Sequence, residues 1–248
     1  MPRFVLLTLL VALTSSAELR GAEPVDEASQ SDRRRLSLSD VLLDELLAVD
    51  GTGGPKVWTV KITNLTYRQP MGPTFVVVHN SAATELFTLG GTAGAGLTYL
   101  AEEGSPAILV NEYTGATGVK SATGEGSAPL YEGQTREFTV ETDDDYPYLS
   151  LASMAVNTND CFAGYNKIRP SDGMVLYSPG YDAGTEVNDE LCDHIPGPGC
   201  AGNTNKTDDA GAGEGVILVH RGMFGIGDLA QSTYDWRNPM LRISITKA

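Results

Sequence analysis

The sequence predicts an all-β fold, an antiparallel β-sandwich with two short helices in one long connection. Short runs rich in β-branched and aromatic residues recur from Lys56 onward, the pattern of strands bounded by turns. Gly and Pro, 28 and 13 residues respectively, punctuate those runs as turns. Strands follow one another without the regular helices of a βα repeat, which favours a sandwich over a parallel sheet.

The N-terminus reads as an export signal. Arg3 is basic, Phe4 to Leu13 is an apolar core, and Ser15 and Ala17 are small residues suited to cleavage after Ala17. The apolar run is too short to span a bilayer as a helix. Residues 18–55 read as a leader and linker. Within it, Arg33 to Arg35 form a basic run open to two readings, a processing site or a solvated segment. Leu36 to Val49 has helical periodicity, with Leu38, Leu42 and Leu46 on one face and Ser39 as a cap. Gly51 to Pro55 is linker-like.

From Lys56 the pattern turns to strands, and residues 56–248 form one domain. Trp58, Val60, Ile62 and Leu65 fall near an alternating pattern in the first strand, which extends to Tyr67. Thr74 to His79 is a β-branched run suited to burial. Leu86 to Leu89 suggests a short strand. Two helices are expected at Leu97 to Glu103 and Ala107 to Tyr113, the second opened by Pro106. Gly-rich loops are expected up to Gly133. Further strands are expected at Arg136 to Thr142, Tyr148 to Val156, Met174 to Tyr177, Gly215 to His220 and Leu241 to Thr246.

The formal net charge is −15. Such a surface repels phosphates and anionic lipid, so nucleic acid is excluded as a partner and membrane binding is disfavoured. No apolar or basic loop tip is evident to offset that charge. The three cysteines are Cys161, Cys192 and Cys200. In an extracellular setting disulfides are favoured. Cys192 and Cys200 flank a turn-rich loop and form the natural pair, which leaves Cys161 as a buried free thiol or an intermolecular bridge. Asn64-Leu65-Thr66 and Asn205-Lys206-Thr207 fit the glycosylation pattern, the first inside an expected strand.

No zinc-protease or nucleophile-elbow pattern surrounds His79, His194 or His220. The two that end strands, His79 and His220, read as hydrogen-bonded structural residues. Chemistry is concentrated instead between Tyr181 and Glu190, where Asp182, Glu186, Asp189 and Glu190 fall in ten residues without a Lys or Arg. Gly184 lets that backbone turn. Asp160 lies just past the strand Tyr148 to Val156, and the next strand, Met174 to Tyr177, precedes Asp182, so neighbouring strand ends bring the two acidic stretches within reach. Hard carboxylate oxygens suit Ca²⁺, which takes six to eight of them with carbonyls and waters. Asp189 and Glu190 read as outer or solvated. Asp143 to Asp145 reads as a solvated turn, and Asp208 to Glu214 as a flexible Gly-rich loop.

The stretches LSLASMAVNTNDCFAGYN (149–166) and SPGYDAGTEVNDE (178–190) resemble the spondin-type domain, as in F-spondin. The likeness extends to ITNLTYRQPMGPTFVVVHN, RGMFGIGDL and YDWRNPMLRISI, and so covers about Val57 to Ile245. It implies a sandwich related to C2 domains, found in extracellular adhesion proteins. It also implies a Ca²⁺ site on three acidic side chains, matched here by Asp160, Asp182 and Glu186. Glu186 replaces the Asp of F-spondin and is one methylene longer. The expectation is therefore a secreted, non-catalytic calcium-binding module with an extracellular protein or glycan partner. The alternatives are a secreted hydrolase with an acidic cleft and a C2-like membrane binder.

Overall fold

A computed structural model of the chain describes residues 54–201 and 212–248. The export signal, the leader with its expected helix and Arg33–Arg35 run, and the Asn205 sequon lie outside the described residues. Two antiparallel sheets make up the fold. One contains β1 (Lys56–Asn64), β4 (Thr135–Thr142), β7 (Met174–Ser178) and β10 (Leu241–Lys247), in the order β4-β1-β10-β7. The other contains β2 (Met71–His79), β3 (Val119–Glu125), β5 (Tyr148–Ala155), β6 (Cys161–Ile168), β8 (Gly180–Asp182) and β9 (Leu218–Val219), in the order β3-β2-β5-β6-β8-β9. The expected all-β sandwich is present. Its two helices, α1 (Ala95–Glu103) and α2 (Ala107–Tyr113), lie in the β2–β3 connection, and a single helical turn, α3 (Gln231–Tyr234), precedes β10.

Alternation in β1 sends Trp58, Val60 and Ile62 into the core. Register places Val60 opposite Ile245 of β10 and Phe138 of β4. These side chains meet Val76, Val78, Leu149 and Leu151 of the six-stranded sheet in one cluster. Each fully buried side chain of this size contributes about 1.5–3 kcal/mol. The six-stranded sheet is covered on its other face as well. Phe75, Val77, Ala152 and Phe162 pack there with Leu97, Leu100, Leu109 and Tyr113 of the helices. A strand buried on both faces reads as a continuous apolar run, which is why β2 lacks the alternation of β1.

Some expectations are corrected. Leu86 to Leu89 is not a strand: Leu86 is buried against the helices, and the Phe87 ring packs 5.1 Å from Phe162 and 4.9 Å from Tyr181. Of Gly215 to His220, only Leu218–Val219 pairs, with β8. β3 arises from the expected Gly-rich loop as an edge strand on β2, and its mostly polar, half-exposed residues carry no alternation to read. β6 (Cys161–Ile168) is an unexpected strand, lying between the expected Tyr148 to Val156 and Met174 to Tyr177. Its Gly164 allows close approach, since a Cβ would lie 2.5 Å from Leu151 O.

The Cys192–Cys200 disulfide is formed, and Cys161 is a buried free thiol. Asn64 is fully buried: its amide donates to Gln69 O and Leu130 O, and its oxygen accepts from Thr66 N and Oγ1. No glycan fits on that side chain in the folded chain.

Candidate metal centre

The candidate site is built where β5 turns into β6 and β8 leaves the sheet. Thr158 Oγ1 donates to Ala155 O at 2.6 Å and accepts from Cys161 N at 3.1 Å, which closes the turn. Asn157 ties the same turn to its surroundings, donating to Arg68 O and accepting from Gly199 N. Asp160 is thereby held fully buried at the start of β6. Cys161 pairs with Asp182 in the β6–β8 register, and one step on the Ala183 N–H donates to Asp160 O at 3.1 Å.

The chain then folds over the Asp160 carboxylate. Thr185 N at 2.7 Å, Thr185 Oγ1 at 3.2 Å and Glu186 N at 3.1 Å all donate to Asp160 Oδ2. The turn needs Gly184: its φ is +70°, and a Cβ would lie 2.3 Å from Val216 O. Asp160 Oδ1 is buried and has no hydrogen-bond partner. An unsatisfied buried carboxylate oxygen is costly, and calls for a cation, a proton or a water.

Asp182 is also buried. Its Oδ1 accepts from Gly184 N at 2.8 Å and its Oδ2 from Asn188 Nδ2 at 2.6 Å. Asn188 Oδ1 in turn lies 2.9 Å from His220 Nε2, and His220 Nδ1 lies 3.0 Å from Gly222 N. A backbone N–H only donates, so Nδ1 is the acceptor and Nε2 carries the proton. The result is a directed chain of donors from Gly222 through His220 and Asn188 to Asp182. Burial, aided by the neighbouring Arg221, lowers the His220 pKa to about 4, which keeps the ring neutral. The ring lies 5.0 Å from that of Trp236.

Burial raises the pKa of both aspartates. It is opposed at Asp160 by the hydrogen bonds from Glu186 and Thr185. Asp182 is pushed to about 7, by burial first and then by the charge of Asp160. Glu214, exposed at the start of the 212–217 loop, adds to the rise at both. That loop is strapped down: Gly215 N donates to Gly184 O, Ile217 N to Gly91 O, and Gly90 N to Ile217 O, each at 2.8 Å.

No protein-family model matches the chain, and no curated protein does. The site is therefore described by its own geometry. Asp160 and Asp182 are brought together by the β6–β8 pairing. Glu186 joins them through its main chain, and its side chain is buried. Among the described residues, no group of three or more His, Cys, Asp and Glu side chains is set closely enough to hold a metal ion. What the geometry supplies is a buried two-carboxylate nucleus with a third acidic residue beside it.

Two side chains near the carboxylates were not legible in sequence: Glu214 falls in a stretch read as a flexible loop, and Asn188 acts through a contact with a segment 32 residues away. His220 is the hydrogen-bonded structural residue expected. Glu190 is not solvated, and Asp189 is only partly exposed. Glu190 is buried, and its two oxygens accept from Phe224 N at 2.6 Å and Ile226 N at 2.9 Å. Asp189 Oδ2 lies 2.5 Å from His194 Nδ1, and its Oδ1 accepts from Asn159 Nδ2 at 3.0 Å. An apolar loop tip also exists: Phe224 and Ile226 are 50% and 64% exposed. The structural reading of His79 fits, since its Nε2 lies 2.7 Å from Ser150 Oγ in a buried setting.

Proposed function

We propose that the chain is a secreted, calcium-binding β-sandwich of the spondin type, acting without catalysis as an extracellular adhesion or recognition module. The observation that carries this reading is the buried, unpartnered Asp160 Oδ1 beside a second buried carboxylate on Asp182. Two adjacent buried anions are unfavourable alone and become favourable around a hard divalent ion. Asp160, Asp182 and Glu186 would hold the ion, with main-chain carbonyls and water completing its shell. Ca²⁺ fits better than Mg²⁺, because Mg²⁺ demands a compact octahedron and keeps more of its water.

The ion would supply charge neutralisation, and would fasten the β5–β6 turn to the segment after β8. Burial of both aspartates favours a small ion over a bulky substrate at the pair, which supports the non-catalytic reading over a hydrolase. The apolar N-terminal run and the Cys192–Cys200 disulfide support export. The net charge of −15 opposes docking on anionic lipid or nucleic acid. The partner is then an extracellular protein or glycan.

The test is a thermal melt in Ca²⁺ and in chelator. Ca²⁺ raises the midpoint in the parent protein and does so no longer in Asp182→Ala. An identical midpoint in Ca²⁺ and in chelator for the parent overturns the reading.

A further inference from the structure

A cavity lies away from the carboxylate pair, on the helix-covered face of the six-stranded sheet. It encloses about 450 Å³ between the 84–94 segment and helices α1 and α2. Small-molecule sites occupy roughly 300–1,000 Å³ and are mostly apolar with a few fixed polar groups. Leu86, Leu97, Leu109 and Tyr113 line the floor, and all four are buried. The Tyr113 hydroxyl donates to Thr84 O at 3.2 Å, so it is already engaged. Burial pushes its pKa up to about 12, which keeps it neutral.

Two carboxylates belong to the lining, Glu85 and Glu112, and no Lys, Arg or His does. Glu85 is already matched, by Lys167 at 2.5 Å and by the Thr88 hydroxyl at 3.0 Å. Glu112 has no cationic partner among the described residues. It is nevertheless fixed in place: Oε1 accepts the Gly96 N–H at 3.1 Å, in the first turn of α1. The position depends on the glycine, because a Cβ at residue 96 would lie 2.3 Å from Glu112 Oε2. The cavity thus combines an apolar body with one pre-positioned anion.

We propose that this cavity binds a small molecule with an apolar body and a single ammonium group, and that Glu112 receives the ammonium. An N⁺–H···O⁻ bond is shorter and stronger than its neutral counterpart. A carboxylate already held in place loses little freedom on binding, which favours affinity. An anionic ligand meets two carboxylates and no free cation, so the class is set by charge as well as by shape.

The test uses three ligands with one apolar body, 4-phenylbutylamine, 4-phenylbutanol and 4-phenylbutanoate, titrated calorimetrically into the protein. The amine binds about tenfold more tightly than the alcohol, and the carboxylate binds weakest. Glu112→Gln removes the amine's advantage and leaves the alcohol unchanged. Ala116→Trp, at an exposed position on the cavity lining, weakens all three. Each variant is first shown by its melt to be folded. Equal affinity for the three ligands, an amine preference that survives Glu112→Gln, or unaltered binding in Ala116→Trp overturns the proposal. The titrations are run in chelator and in Ca²⁺, so their outcome does not depend on the metal reading.

Discussion

Asn188 donates to Asp182 Oδ2 at 2.6 Å while its own oxygen faces the protonated nitrogen of His220. One amide therefore satisfies two buried groups of opposite hydrogen-bonding character. Asn188→Ala leaves both without a partner. Each orphaned group costs about 1–3 kcal/mol, so the variant loses about 2–6 kcal/mol of stability. Urea denaturation in the presence of Ca²⁺ measures it. A loss below half of one kcal/mol would show that water replaces the amide.

His220 makes stability acid-sensitive. Its pKa is about 4 in the fold against 6.5 in the unfolded chain. The unfolded state therefore binds the proton more readily. The contribution is complete above pH 6.5, and is lost as pH falls through 4. The full loss is about 3 kcal/mol, from roughly 1.4 kcal/mol per pKa unit. Denaturation at pH 7.5, 5.5 and 4 traces it, and His220→Gln flattens the slope.

Asp182 acts in the opposite sense when no metal is bound. Its pKa is raised from 3.8 to about 7. The folded state then holds the proton more tightly, and its contribution is lost as pH rises through 7. On the proposed metal reading, Ca²⁺ would displace that proton, and the metal-bound protein would escape the loss. The difference in melting midpoint between Ca²⁺ and chelator consequently widens from pH 5 to pH 7.5. A constant difference across that range would separate Asp182 from the metal.

Glu190 anchors the loop that carries Phe224 and Ile226 by accepting both of their N–H groups. Glu190→Leu leaves those donors unpartnered and costs about 2–6 kcal/mol. Hydrogen exchange at the Phe224 and Ile226 amides accelerates well beyond that of β1. Unchanged exchange there would mean that the loop is held by other contacts.

Much of the sandwich is written locally, and much of the site is not. Trp58, Val60 and Ile62 announce β1, because one face of that strand meets the core and the other meets solvent. β6 gives no such signal: Cys161, Phe162, Ala163 and Gly164 are small or buried on both sides, and their pairing is set by β5 and β8. The sequence joins Asp160 and Asp182 through the ends of the expected strands Tyr148 to Val156 and Met174 to Tyr177, but those strands lie in different sheets, and the two residues meet through the β6–β8 pairing, which no sequence pattern announces. The contacts of Asn188, His220 and Glu190 are not legible either, since they depend on the return of the 220–226 segment, a contact between loops that no periodicity encodes. The burial of Glu190 has the same cause. An acidic cluster reads as solvated until the donors that cover it are known.

Cys161 gives the site an internal reporter. Its thiol is fully buried, lies 4.0 Å from Met240 Sδ, and sits in the residue paired with Asp182. Burial, and then the charges of Asp160 and Asp182, hold its pKa well above the ordinary thiol value. Reagent and hydroxide are both kept away, so alkylation proceeds only while the core around Cys161 opens. The labelling rate of this one sulfur therefore times the breathing of the core at the acidic end of the sheet, without any engineered tag.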